Sequence, residues 1–325
     1  MEKLKRIIFT SLASCVLLLL ASCADHNPPD DCLDCAGGVA AKTAYGYFVD
    51  ISAIPRCSGN EGAASDYLAA FGRSLGLDEP FQDGARNVLI RKRGSKGREN
   101  EPPVILQAHI DMVCVKDPDD GHDFSRDPII IDTTGGDWAT ARGGTTLGAD
   151  NGSGVSMIMA VLASNSLSHP PIEALLTTEE ETGMIGADSF DVSLLNGRRL
   201  INLDMVKESV IVVSNKWDGG LFVIVPIETA ALLKVSRVPD WPYKAESPLR
   251  DKAAEVFNDF YGEEPVIAGI NNAGVECAVF SAKMPDADMI SIGPDIVDIH
   301  TPNERMSISS HRRVYDYLVK LLEEL

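Results

Sequence analysis

The 325-residue sequence predicts an α/β fold, a mostly parallel sheet layered between helices. Three observations predict it. Short apolar runs at Val104 to Gln107, Ile172 to Leu176, Leu200 to Leu203 and Met289 to Ile292 have the length and character of buried strands. Segments with helical spacing alternate with them, and that rhythm builds parallel sheets covered on both faces. Several of the runs end in a His or a carboxylate, and open α/β sheets carry their chemistry at the carboxyl ends of their strands.

Taken in order, the chain begins with an export signal. Lys3, Lys5 and Arg6 precede the apolar stretch Ile7 to Ala21, and small residues lead to Cys23. Leu20-Ala21-Ser22-Cys23 resembles a bacterial lipoprotein box, in which the Cys is acylated and becomes the mature N-terminus. The stretch is shorter than the ~20 apolar residues a membrane span needs. Residues 1–22 are therefore expected to be a lipoprotein signal peptide, and 23–41, with Pro28-Pro29 and several Asp, a tether. The expected location is outside the cytoplasm of a bacterial cell, on the periplasmic or outer-surface side, held to the membrane only through lipid on Cys23.

Residues 42–325 read as one domain. Lys42 to Ile54 and Glu61 to Leu75 have helical spacing, broken at Pro55 and Gly59. Asn87 to Arg91 is a short strand, Asn151 to Ala163 a helix, and Ser247 to Tyr261 and Ser309 to Leu325 are amphipathic helices. Cys32 and Cys35 have the spacing of a local disulfide, with no second pair or nearby histidines to make a zinc site. Cys57, Cys114 and Cys277 look like small buried hydrophobes.

Composition narrows the function. Hydrophobic residues make up 45% of the chain and charged residues 24%, so a sizeable core can form. A formal net charge of −19 excludes nucleic acid as a partner and electrostatic attachment to anionic lipid. Nothing in the sequence fixes an oligomeric state.

The strand ends carry the chemistry. One run ends in Ala108-His109-Ile110-Asp111, a second in Thr177-Thr178-Glu179-Glu180-Glu181, a third in Asp204. A helix begins after Asp150-Asn151-Gly152, and a strand-like Asp298-Ile299 delivers His300. A lone His-x-Asp is common by chance. His26 lies in the tether, His122 and His169 in polar or Pro-rich turns, and His311 opens a helix, where a solvated His is unremarkable. Only His109 and His300 follow apolar runs, and imidazole is a common metal ligand. Three consecutive glutamates after a buried strand repel one another, and desolvating them costs several kcal/mol each unless cations answer. A helix macrodipole favours Glu by only ~0.3–1 kcal/mol.

Five ordered motifs then identify a resemblance. Gln107-Ala108-His109-Ile110-Asp111-Met112-Val113, Thr145-Thr146-Leu147-Gly148-Ala149-Asp150-Asn151-Gly152, Glu180-Glu181-Thr182-Gly183-Met184 and Asn202-Leu203-Asp204 resemble the aminoacyl-histidine dipeptidases, bacterial members of the carboxypeptidase-G2-like zinc peptidases. Ser291-Ile292-Gly293-Pro294-Asp295 with His300-Thr301-Pro302-Asn303-Glu304-Arg305 is similar to that family's closing segment. The resemblance runs from about Thr43 to Gly219 and resumes near Val238. It implies a three-layer zinc-peptidase catalytic domain over 42–325 that hydrolyses a small peptide, most readily an Xaa-His dipeptide, with a water activated between two Zn²⁺. Mn²⁺ or Co²⁺ can fill the same ligands.

The resemblance also implies roles. His109 and Asp204 would hold one ion, Glu181 and His300 the other, and Asp150 would bridge them. Asp111 would accept the free N–H of His109 and fix its tautomer. Glu180 would take a proton from the water and pass it to the leaving amine. The chain departs from the family twice. In Asn271-Asn272-Ala273-Gly274-Val275-Glu276-Cys277, Asn272 stands where the family usually has a His; Asn272 and Glu276 remain candidate substrate contacts. The family's inserted lid domain is missing or vestigial, leaving only residues 209–237, which are expected to extend the sheet or cap its edge. Loss of the lid sustains a second reading, a zinc-binding lipoprotein with little or no turnover. A serine or cysteine hydrolase is a third: Gly152-Ser153-Gly154 lacks the spacing of a nucleophile elbow, and Cys114 has no evident His partner.

Overall fold

The apolar runs become strands that are buried along their length. The computed structural model describes residues 42–216, 222–224, 234–236, 239–271 and 273–325. The expected signal peptide, Cys23, the expected tether, the Cys32/Cys35 pair and Asn272 lie outside the described residues, as does much of 209–237. Lys42–Leu325 forms one compact unit.

Helices α1 (Ala44–Ser52) and α2 (Gly62–Ser74) lead to β1 (Phe81–Gln82), β2 (Val88–Lys92), β3 (Val104–His109), β4 (Ile131–Asp132) and β5 (Trp138–Ala141). Next come α3 (Ala149–Ala163), β6 (Ile172–Thr177), α4 (Ile185–Ser189), β7 (Arg199–Asn202), β8 (Val210–Lys216), β9 (Phe222–Ile224) and β10 (Lys234–Ser236). The chain closes with α5 (Pro248–Tyr261), β11 (Val266–Asn271), α6 (Cys277–Lys283), β12 (Asp288–Ser291), β13 (Ile296–Val297), β14 (Arg305–Ser307) and α7 (Ile308–Glu324). Each predicted helix and strand is present, with ends shifted by a residue or two, except the strand expected at Asp298-Ile299. Local chemistry sets those ends. Thr43 caps α1 by accepting the Gly46 N–H, Ser307 caps α7 through the Ser310 N–H, and Ser247 with Pro248 opens α5.

The main sheet has the order β1-β2-β6-β3-β7-β12-β8-β11. Strands β6, β3, β7 and β12 run parallel, so His109, the Thr178–Glu181 turn and Asp204 all emerge at one edge. Along β3, Leu106 and Ala108 face a core with α1, α3 and α7, while Ile105 faces a second core with α4 and α6. Coverage on both faces explains why these strands are continuously apolar instead of alternating. Fully burying each such side chain contributes about 1.5–3 kcal/mol.

Four findings depart from expectation. A second sheet, β13-β14-β5-β4, is antiparallel and was not foreseen, because its strands are two to four residues long. Of the 209–237 remnant, β8 extends the main sheet between β12 and β11, whereas β9 and β10 pair with each other. Cys57 and Cys114 are joined in a disulfide; among the described residues only Cys277 is a free buried thiol. The pairing follows from backbone contact, since Cys57 bridges Met112 and the Met112 N–H donates to the Arg56 carbonyl. His311 is fully buried within α7, its Nε2 beside Ser156 Oγ, and burial lowers its pKa to about 4.

Candidate metal centre

The five expected ligands converge. His109 is the last residue of β3, Glu181 lies in the turn after β6, Asp204 follows β7, and Asp150 sits in the first turn of α3. His300 comes from the loop between β13 and β14; Asp298 and His300 there have φ of 56° and 61°, so this segment is a left-handed loop and not the expected strand. His109 Nε2 lies 3.1 Å from Asp150 Oδ1 and 3.3 Å from Asp204 Oδ1. His300 Nε2 lies 3.0 Å from Glu181 Oε1 and 3.4 Å from Asp150 Oδ2. Asp150 thus turns one oxygen toward each imidazole. The trios His109/Asp150/Asp204 and Asp150/Glu181/His300 each hold their donor atoms within 4.8 Å, as does His109/Glu180/Glu181. Imidazole nitrogens and carboxylates in threes are a fitting donor set for Zn²⁺, and a shared carboxylate suits a pair of ions.

Proton affinities register how much positive charge the cluster demands. Burial pushes Asp204 up to about 7, with Asp150 and Glu181 adding to it against the pull of His109. Glu180 is driven well above the usual range by burial and by Asp204, Glu181 and Glu276. Burial also raises Glu181. Hydrogen bonds to Asp150 and Glu181 lift His300 to about 10. Desolvation works against His109 as a cation, yet Asp204, Asp111 and Asp150 together hold its pKa well up. Asp150 goes the other way: burial opposes its charge, and the two imidazoles overcome burial.

The backbone around the ligands is held by buried polar groups. Asp111 Oδ1 accepts the Glu180 N–H at 3.0 Å, and its Oδ2 accepts the Glu181 N–H at 3.2 Å and the Ser58 hydroxyl at 2.7 Å. His109 Nδ1 is 3.1 Å from the Asp111 carbonyl and 3.4 Å from its carboxylate, so Asp111 pins Nδ1–H by either oxygen and leaves Nε2 toward the site.

Three supports carried no sequence assignment. Glu61 Oε1 accepts the N–H groups of Gly59 and Glu179, each at 3.0 Å, bracing a turn in which Glu179 has φ 49°. That left-handed residue costs about 1–2 kcal/mol. Glu304 accepts from Leu147 N (2.8 Å), Gly148 N (2.9 Å) and Asp150 N (3.1 Å). Arg56 donates to the Ile110, Asp111 and Gly148 carbonyls at 2.8, 3.2 and 2.5 Å. Gly148 has φ 70°, and a Cβ there would meet Arg56 Nη2 at 2.6 Å, so a glycine is required on both counts. The Asp150–Asn151 peptide is cis. A sequence signal existed only for Glu304, inside a quoted motif; Arg56 and Glu61 sit in a loop and at a helix start, where charged residues ordinarily face water.

Glu276 corrects an expectation. It is wholly buried, with Oε2 accepting from Gln107 Nε2 and from Thr177 Oγ1 (2.6 Å), so it lies beneath the site instead of at its surface. Burial raises its pKa to about 8. Cys114 is in a disulfide and Ser153 is 1% exposed inside α3, which removes both nucleophile candidates. The His300 side chain is 44% exposed, so the site opens to solvent on that side. A cavity of about 190 Å³ beside Lys207, Glu208, Tyr261, Asp295 and Arg313 contains none of these ligands; donor convergence, not concavity, marks the centre.

Comparison with known proteins agrees with the geometry. The sequence pattern of Peptidase family M20/M25/M40 matches residues 105–324. The chain is 44% identical over 175 residues to the cytosol non-specific dipeptidase of Escherichia coli K12, covering 53% of this chain and 35% of that protein. It therefore spans about a third of that relative's length. An aminoacylhistidine dipeptidase structure from Vibrio alginolyticus superposes with a TM-score of 0.77 at 22% identity, covering 87% of this chain and 96% of that one. A tripeptidase from Staphylococcus aureus gives 0.70 at 17% identity, covering 86% and 97%. These two likenesses establish the α/β peptidase fold.

Proposed function

We propose, from the premise that this chain belongs to Peptidase family M20/M25/M40, that it is a metal-dependent dipeptidase acting on small peptides. The observation that carries the proposal is Asp150, one carboxylate facing His109 with Oδ1 and His300 with Oδ2. His109, Asp204 and Asp150 would hold one divalent cation, and Glu181, His300 and Asp150 the other. Two Zn²⁺, when bound, supply Lewis acidity toward the scissile carbonyl and the attacking water. Glu180, in the same turn as Glu181 but outside the two bridging trios, accepts a proton from that water as its oxygen bonds to the carbonyl carbon. It returns the proton to the amine nitrogen as the C–N bond breaks. Asp111 holds His109 and the Glu180–Glu181 backbone in register for this work.

Xaa-His dipeptides are the proposed substrates, in keeping with the motifs and with the names of the E. coli and Vibrio proteins as dipeptidases. The short 209–237 segment and the exposed His300 favour a second reading, a zinc-holding protein with little turnover. For location we propose export and lipid attachment at Cys23; the Cys57–Cys114 disulfide supports an oxidising compartment. The purified chain is expected to bind two Zn²⁺ and to cut a panel of His-terminated dipeptides. Glu181→Ala should lower the stoichiometry, whereas Glu180→Gln should keep both ions and abolish cleavage. Equal metal loss in the two variants would overturn the assignment.

A further inference from the structure

Just beneath the proposed ligands, a row of buried polar side chains crosses four strands. Thr177 ends β6, Gln107 precedes His109 by two residues in β3, Asn202 precedes Asp204 by two in β7, and Ser291 ends β12. Backbone register pairs Gln107 with Asn202 and Asn202 with Ser291. All four side chains have no solvent exposure. Hydrogen bonds run through them in a single direction. Ser291 Oγ donates to Asn202 Oδ1, Asn202 Nδ2 donates to Gln107 Oε1 at 2.6 Å, and Gln107 Nε2 donates to Glu276 Oε2. Thr177 Oγ1 donates to the same oxygen at 2.6 Å.

Glu276 comes from a different element, at the start of α6, and its Oε2 accepts from Gln107 and Thr177 whether the carboxyl is ionised or carries its proton on Oε1. Its presence dictates the rest of the row. Gln107 must turn its amide nitrogen toward Glu276, so its oxygen faces Asn202; Asn202 must then present nitrogen to Gln107 and oxygen to Ser291. Without a terminal acceptor either amide can flip, and the lateral spacing of β3 and β7 loses its lock. A buttress alone would be met by an apolar side chain, because burying a polar carboxyl group costs free energy that an apolar one does not. Among the described residues Glu276 Oε1 has no hydrogen-bond partner, which makes a packing role alone still harder to justify.

We infer that Glu276 is a positioning residue for the His109–Asp204 half of the metal centre, setting the spacing of the two strands that deliver those ligands. The inference rests on His109 and Asp204 being metal ligands. The test measures Zn²⁺ affinity by chelator competition in a Glu181→Ala chain, which retains the His109/Asp150/Asp204 trio. Adding Glu276→Leu should weaken binding by about 10–100-fold, the range for outer partners of metal ligands. Glu276→Gln, whose amide oxygen still accepts from Gln107 and Thr177, should remain within about threefold of the parent, because the geometry is preserved. In an Asp204→Ala chain, which retains the Glu181/Asp150/His300 trio, Glu276→Leu should change affinity by less than about threefold, since the row reaches that half only through Thr177, four residues before Glu181. Ser291→Ala probes the far end of the row should Glu276→Leu fail to fold, and it should weaken the first trio alone. Unchanged affinity, equal weakening of both halves, or a Gln variant as poor as Leu would each overturn the inference. A Glu181→Ala chain that binds no zinc at all would instead remove the metal reading, and this inference with it.

Discussion

Replacing Cys57 and Cys114 by serine tests both the fold around the site and the compartment it was built for. The disulfide closes a loop of sequence separation 57. Loop-closure entropy for that length contributes about 4 kcal/mol by restricting the unfolded chain. With a shift of about 2–4 °C per kcal/mol for a domain of this size class, the melting temperature should fall by roughly 8–16 °C. The local effect adds to the global one. The bond ties Arg56–Ser58 to Ile110–Cys114, and that paired segment carries the Arg56 and Ser58 contacts to the Asp111 main chain and carboxylate. Zinc should therefore also dissociate more readily from the double variant. Urea titrations with and without reductant, in chelator to separate metal from disulfide, measure the stability term; peptide mapping without reduction detects the Cys57–Cys114 link. If the unreduced protein contains no such link, or if midpoints with and without it agree within about 0.5 kcal/mol, the reasoning fails.

Three further outcomes follow from the site and the termini. In chelator, stability should fall as pH rises from about 5 to 9: Asp204, raised to about 7, is progressively forced to ionise in the fold, and the His300 ion pairs, complete below its unfolded pKa, are lost toward about 10. Zinc should reverse the trend and release protons on binding at pH 7, measured by calorimetry in two buffers of different ionisation enthalpy; no proton release would refute the assignment of protonated ligands. Wild-type protein should partition with bacterial membranes and Cys23→Ala should not; a wild type that is wholly soluble after signal removal sinks the lipid anchor. Turnover of Xaa-His dipeptides should be at least ~10²-fold below that of a lid-bearing relative at matched zinc, because a single missing oxyanion donor costs that much; comparable kcat/KM would show that the lid is dispensable.

The sequence by itself determined the layered α/β scaffold and the candidate ligand types. Buried parallel strands are short and apolar on both faces, so Val104 to Gln107 or Ile172 to Leu176 announce themselves locally, and the polar residues His109 and Glu180-Glu181 stand out at their ends. What only the tertiary structure decided is who partners whom. Nothing near Arg56 predicts that it will grip Gly148, nor near Cys57 that it will meet Cys114, nor near Glu276 that it will sit under His109's strand. The small sheet of β4, β5, β13 and β14 escaped notice for the same reason, since its strands are too short to show a period. Periodicity and burial are properties of a few neighbouring residues, but a hydrogen bond, a disulfide or a shared carboxylate depends on distances between segments far apart in the chain. Those distances are set only when the two cores close on the sheet.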